Sequence, residues 1–551
     1  MMRRSIVTAI AVVFIGSSFV SLPAAEEPLT GERLRQDLGL IRNNMRAIAE
    51  LIDRLDGGPG DADLFQPPLE LPEGPVGAES YRVWLGAVKA DLFRNYWCLN
   101  GLVNAPEPGT AAGMPVRSVR WVTDGRGGSH ELSLPADGEV NNLEVAIHNR
   151  GRTIVVNPRV VANGKRDWHS TSSILAEILQ DNMSDKEKAL AIWEFLRDNR
   201  YHYEPPASAH ENHDPVKFIG VYGYGFCDDS SSNFTALAQA AGLKGRIWGL
   251  AGHVVPEVWY DDAWHMLDPD GKAYYCYPDK ETIASIADIV AHPEILSQPK
   301  DQYYGVDMLT RIYTTTENNS LHDWYLSTLS TEHTLDISLR PGESLVRSWG
   351  NRGLYYCGYR YDEPPVYGNG KIVFEPVLEG DRFSVGASEA TNLKAVDGGI
   401  APAKAGETSA LTYRFDSPYL LLDGEVGLEY RAEKPGIKVG LEVETDDGWI
   451  LRGAFETTGT GDGEVVLPLD GCFVNGHGLP TYSISLKLTI DGSGGGVPIV
   501  LKRIIYDLDF QCSPMALPAL EPGDNRIEFR SESSDGGGIE IEHRFSLDLE
   551  G

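Results

Sequence analysis

Leu34, Leu38, Ile41, Met45, Ile48, Ile52 and Leu55 recur in alternating steps of four and three, the period of a helix with one apolar seam. The spacing predicts a helix over 26–56, stopped by Gly57, Gly58 and Pro59. The Gly- and Pro-rich stretch 57–80 reads as a linker. From Tyr81 to Asp167 the period drops to two. Val116 to Val122, Leu143 to His148 and Thr153 to Val156 are short alternating runs parted by turn residues, which predicts a small β-sandwich over 81–167. The helical period returns where Ser184-Asp185-Lys186-Glu187 forms a capping box ahead of Ala189, Ile192, Trp193 and Leu196. A mixed helical and strand region is predicted over 168–300 and a mostly β extension over 301–376. Runs such as Ile437 to Thr445, Tyr482 to Ile490 and Pro498 to Ile505 then predict a C-terminal β-sandwich over 377–551.

Composition sharpens this outline. The 551 residues exceed what one core organises, because cores stop growing at roughly 250–300 residues. With 80 acidic against 48 basic side chains, the formal charge of -32 argues against nucleic acid or an anionic membrane as the main partner. Arg3 and Arg4 precede the apolar run Ile6 to Ile15 and the small residues from Gly16 to Ala25, the arrangement of a signal peptide over 1–25. That run is roughly half the ~20 residues a spanning helix needs. The expectation is an exported protein (periplasmic, cell-surface or extracellular) with no membrane span after signal removal. Export would place Cys98, Cys227, Cys276, Cys357, Cys472 and Cys512 in an oxidising compartment. They are too scattered for a disulfide framework, and no CxxC pair supports a zinc ribbon or a thioredoxin site.

The candidate chemistry begins at Gly223-Tyr-Gly225-Phe-Cys227, followed by Phe234, Leu237, Ala238 and Ala241 on one helical face with Gly242 as the stop. Cys227 therefore sits at a helix N-terminus, where backbone N–H groups and the dipole favour a thiolate. Asp228 and Asp229 oppose this by raising the thiol pKa. Position alone favours a buried structural cysteine. The strands that follow reverse that balance. Arg246 to Leu250, Gly252 to Trp259 and Trp264 to Pro269 read as strands, and a hairpin turning on Tyr260 and Asp261 makes His253 and Asp268 cross-strand partners about 5 Å apart. A carboxylate on one ring nitrogen leaves the other for a cysteine proton, which is the logic of a triad.

In order and spacing, Gly225-Phe-Cys227, Gly242-Leu-Lys-Gly-Arg246, Gly252-His253 and Trp264-His-Met-Leu-Asp268-Pro269 resemble the transglutaminase-like superfamily. The resemblance runs from about Met183 to Asp270. It implies an α+β fold, a papain-like transglutaminase core flanked by β-sandwich domains. It also implies nucleophile Cys227, base His253 and orienting Asp268, with an oxyanion donor shortly before the cysteine, where Tyr222 stands. Val254 stands where an aromatic often follows the histidine, and Pro256 lies inside the His strand. These departures bear on substrate class.

The resemblance implies acyl transfer through a thioester on an amide substrate, a peptide or a protein glutamine side chain, resolved by water or by an amine. The alternative is a binding protein that keeps the fold without the activity and engages a polysaccharide or cell-surface partner through its C-terminal sandwich. Intact Cys227, His253 and Asp268 count against it. His210-Glu211-Asn212-His213-Asp214 carries metal-type side chains, but no second cluster nearby completes a four-ligand site. It reads as a solvated loop, with no metal and no cofactor expected. His265 reads as structural. With Cys227 kept as a thiol, Cys472 and Cys512 are the expected bridge, since both lie in the last domain.

Overall fold

The computed structural model describes residues 115–202, 210–279, 281–297, 306–315, 319–350, 354–355, 367–445, 448–469, 472–473, 481–491, 499–534 and 537–548. The chain divides into two units, Met1–Asn104 and Ala105–Gly551, and every described residue belongs to the second. The expected signal peptide over 1–25, the helix over 26–56, the linker over 57–80, and Cys98 and Cys357 lie outside the described residues. Among the described residues no helix is long and apolar enough to cross a membrane.

Three helices and a small sheet form the α+β part. Helix α1 (Thr171–Ile178) is capped by Ser170. Helix α2 (Asp185–Asp198) starts on the expected box, with the Ser184 side chain accepting from the Glu187 N–H and the Glu187 carboxylate accepting from the Ser184 N–H. Helix α3 (Cys227–Ala240) ends at Gly242, whose φ of 86° is the left-handed conformation that terminates a helix. The apolar periodicity turns inward as expected: Ala189, Ile192, Trp193 and Leu196 of α2 meet Phe234, Leu237 and Ala238 of α3 in one core. Strands β1 (Lys244–Leu250), β2 (His253–Tyr260), β3 (Ala263–Met266) and β4 (Ser320–Leu321) form a sheet in the order β3-β2-β1-β4.

The hairpin register differs from the sequence expectation. Trp259 faces Trp264 and Glu257 faces Met266, so the turn falls on Asp261 and Asp262, with φ values of 48° and 58°. Both central residues of a type I′ turn need positive φ, and Asp tolerates it better than Tyr. The shift is two residues, so every side chain keeps its face.

The surrounding β structure also departs from separate sandwiches bounded at 167 and 377. Strand Glu139–Asn149 lies between Glu343–Ser348 and Gly538–Asp548, and Gly370–Phe374 pairs with Ile499–Gln511. Strands from before and after the helical core thus share one 13-stranded sheet. The pairing is dictated by partners distant in sequence, because each amphipathic strand must cover its backbone groups wherever a neighbour is available. A five-stranded sheet from Ala387–Thr391, Ser409–Asp416, Lys438–Thr445, Gly448–Glu456 and Ser483–Ile490 contributes to the same apolar core. Cys472 and Cys512 are not bridged to each other. Cys512 lies in the core with its N–H on the Asn369 side-chain oxygen.

Candidate active site

Cys227 is the first residue of α3 and a free thiol. The turn ahead of it is built by its glycines: Gly223 has a φ of 76°, and a Cβ on Gly225 would come within 2.8 Å of both Phe218 and Asp229 side-chain atoms. No other residue fits that space. The Asp229 carboxylate accepts the Phe226 N–H at 2.7 Å, which closes the first turn. The Ser231 hydroxyl donates to the Val254 carbonyl at 3.0 Å and ties α3 to the strand carrying the histidine.

His253 opens β2 and is buried. Its Nε2 lies 2.7 Å from Asp268 Oδ2, which leaves Nδ1 for the thiol. The other Asp268 oxygen accepts the backbone N–H groups of Asp270 and Gly271, each at 2.9 Å, and the Trp193 indole donates to the Asp268 carbonyl. A carboxylate held on both oxygens fixes the ring it orients. Cys227 Sγ, a ring nitrogen of His253 and a carboxylate oxygen of Asp270 all lie within 4.8 Å of one another.

Charge within this cluster is finely opposed. Burial pushes the Cys227 thiol up, the bond to His253 pulls it down, and Asp270 and Asp228 push it up again. For His253, burial disfavours the imidazolium, but the Asp268 charge and hydrogen bond outweigh it and raise the ring well above its usual range. The reactive state needs one proton removed from this pair, and both partners hold theirs to high pH. The rate of acylation should therefore climb on an ascending limb above neutrality. A kcat/KM profile with its ascending limb centred on the acid side would contradict this balance.

Sequence reasoning missed the residues behind the triad. Arg200, just past the end of α2, is buried with Nη1 2.6 Å from Asp270 Oδ1, and its Nη2 donates to the Pro269 carbonyl at 2.8 Å. His202 Nδ1 lies 2.8 Å from the same Asp270 oxygen, and its ring packs 5.3 Å from Phe226. Only the alternation Asp268-Pro269-Asp270 hinted at a second carboxylate, and nothing local tied it to Arg200.

Tyr222, the expected oxyanion donor, is buried. It ends the one-turn segment Lys217–Tyr222, packs in the core shared with the sheet strands, and has its hydroxyl beside Tyr482. The donor present at the sulfur is the Cys227 backbone N–H, one of the first-turn groups without an intrahelical partner. His265 is structural as expected: its ring nitrogens lie on the Ile283 and Tyr260 carbonyls, and it stacks on Tyr260. The 210–214 loop corrects a second expectation. Asn212, His213 and Asp214 are buried, because Asp214 caps the following turn and accepts from Ser330 while Asn212 donates to the Tyr224 carbonyl. Asp228 and Asp229 supply the neighbouring cluster that the local sequence lacked. Burial and the charge of Asp229 push the Asp228 carboxyl up to about 6.

No curated protein matches the chain. Among solved structures, a mutant family 29 carbohydrate-binding module complexed with mannohexaose is similar over 24% of this chain and 92% of its own, at 16% identity and a TM-score of 0.17. The CBM36-1 domain of a multidomain xylanase from the hindgut metagenome of Trinervitermes trinervoides is similar over 30% of this chain and 98% of its own, at 11% identity and a TM-score of 0.15. The segment that carries Cys227, His253 and Asp268, residues 172–269, matches the family model of the transglutaminase-like superfamily.

Proposed function

We propose that the chain is an exported cysteine-dependent acyl-transfer enzyme acting on amide bonds of peptides or protein glutamine side chains. The observation that carries this reading is the His253–Asp268 contact of 2.7 Å beside a free thiol at a helix N-terminus. His253 Nδ1 takes the Cys227 proton as the sulfur attacks the amide carbonyl. The oxyanion forms at the Cys227 backbone N–H. The imidazolium then protonates the leaving nitrogen, the C–N bond breaks and a thioester remains. His253 next takes a proton from the water or amine that resolves the thioester and returns it to the sulfur. Hydrolysis is favoured over amine transfer because no feature of the sequence marks an amine-donor site.

A second reading concerns the sheet that includes Gly448–Glu456, where Trp449, Ile450 and Leu451 are exposed. Their apolar surface supports a polysaccharide or cell-surface partner for this part of the chain.

Incubation with a thiol-directed acyl probe, followed by peptide mapping, is expected to place the label on Cys227. An unlabelled Cys227 in folded protein would refute the enzymatic reading and leave the binding one. Mapping Cys227 into a disulfide of the active form would equally remove it as nucleophile.

A further inference from the structure

At the first turn of the nucleophile's helix, one ring nitrogen of His213 and one carboxylate oxygen each of Asp228 and Asp229 lie within 4.8 Å of one another. The role of His213 Nδ1 is legible from its surroundings. The single hydroxyl proton of Thr328 is donated to the Tyr325 carbonyl at 2.8 Å, so Thr328 must accept at its other contact, the 2.7 Å bond from His213 Nδ1. With Nδ1 engaged by Thr328, Nε2 is the nitrogen left to face the carboxylates. That nitrogen is buried without a hydrogen bond, on a residue only 1% exposed, and points at Asp229 Oδ1 3.4 Å away. A cation held between that nitrogen and the carboxylate oxygens would satisfy all three donors at once.

We propose that His213, Asp228 and Asp229 bind one divalent transition-metal ion of the Zn2+ class. A metal about 2.1 Å from each donor in tetrahedral geometry separates donors by about 3.4 Å, which is the His213–Asp229 spacing found here. One neutral imidazole and two carboxylates balance a divalent charge and leave a position for water. The partial positive charge of roughly half a unit at the helix N-terminus is small against two carboxylates. Each donor also has outer support: Thr328 on His213 Nδ1, the Phe226 N–H on the second oxygen of Asp229, and the Tyr325 hydroxyl 3.5 Å from Asp228. Such support orients ligands in metal sites. The ion would join the 210–214 loop to the first turn of α3.

The test is Zn2+ titration of the full chain after chelator treatment, followed by calorimetry and metal analysis of the desalted protein. Wild type and Cys227→Ala are expected to bind one equivalent, which separates this site from the Cys227, His253 and Asp270 cluster. His213→Gln and Asp228→Asn should bind at least tenfold more weakly. Thr328→Val removes only the acceptor that engages His213 Nδ1 and should weaken binding roughly 10- to 100-fold, so the proposal stays testable even where His213→Gln does not fold. A wild-type chain that binds no Zn2+, loss of binding in Cys227→Ala, or unchanged affinity in Asp228→Asn and Thr328→Val would each overturn it.

Discussion

His253→Ala is expected to slow acylation of Cys227 by about a thousandfold or more, because proton removal from the thiol and proton return to the leaving group lose their one carrier. The site is closed to a substitute: His253 and Asp268 are 3% and 2% exposed, so bulk water has no access to the same position. Asp268→Asn probes the same relay with almost no change of shape. The Asn oxygen would keep the Asp270 and Gly271 N–H groups now held by Asp268 Oδ1. Its amide nitrogen would then donate to Nε2 of His253 and force the ring proton onto Nδ1, where it faces the sulfur and blocks proton acceptance. Turnover should fall by about a hundredfold or more. Removing the Asp268 charge should also shift the ascending pH limb downward, since that charge is what holds the imidazolium against burial. A purely structural Asp268 makes a different forecast, a loss of at most about 1 kcal/mol in stability with near-normal activity. Single-turnover acylation and melting temperature on the Asn variant separate the two. Normal acylation in a folded variant removes Asp268 from the site.

The His253–Asp268 pairing was legible in the sequence although the register was not. The turn lies one residue later than expected, on two aspartates in left-handed conformation, and the resulting two-residue shift keeps both side chains on one face. In the observed register the extension of β3 would set Asp270, not Asp268, opposite His253. The strand stops at Met266, however, and Asp268 turns to bridge Ala273. Both aspartates consequently reach the site by different routes, Asp268 on the ring and Asp270 on Arg200 and His202. Helices were legible because their caps and apolar faces are local, as Ser184 with Glu187 and the Phe234, Leu237, Ala238 face illustrate. Strand partners were not, because alternation in Glu139–Asn149 announces an amphipathic strand and says nothing of Glu343–Ser348 and Gly538–Asp548 on either side. The cluster of His213 with Asp228 and Asp229 escaped notice for the same reason, being assembled by packing of a loop on a helix end.

Asp270→Ala is expected to cost about 3–5 kcal/mol of folding stability, because it strands the guanidinium of Arg200, whose side chain is 0% exposed, without its counter-charge. Burial works against the Asp270 carboxylate, yet the Arg200 charge and the His202 contact win and hold it well below the usual carboxylate range. A group whose folded pKa is depressed stabilises fully above its unfolded value, near 4, and loses that contribution as the pH falls toward the folded value. The stability gap between wild type and Asp270→Ala in urea unfolding should therefore be full at neutral pH and shrink in acid. Arg200→Met combined with Asp270→Leu should recover most of the loss, since a buried pair replaced by apolar groups no longer leaves one charge alone. Asp270→Asn isolates the chemical consequence. The Asp270 charge pushes the Cys227 thiol up, so its removal should move the ascending limb of the pH profile to lower pH, opposite in cause to the Asp268 effect because the affected proton is on sulfur. A loss below about 1 kcal/mol in Asp270→Ala would show that Arg200 finds other partners, and an unmoved limb in Asp270→Asn would confine Asp270 to holding the fold.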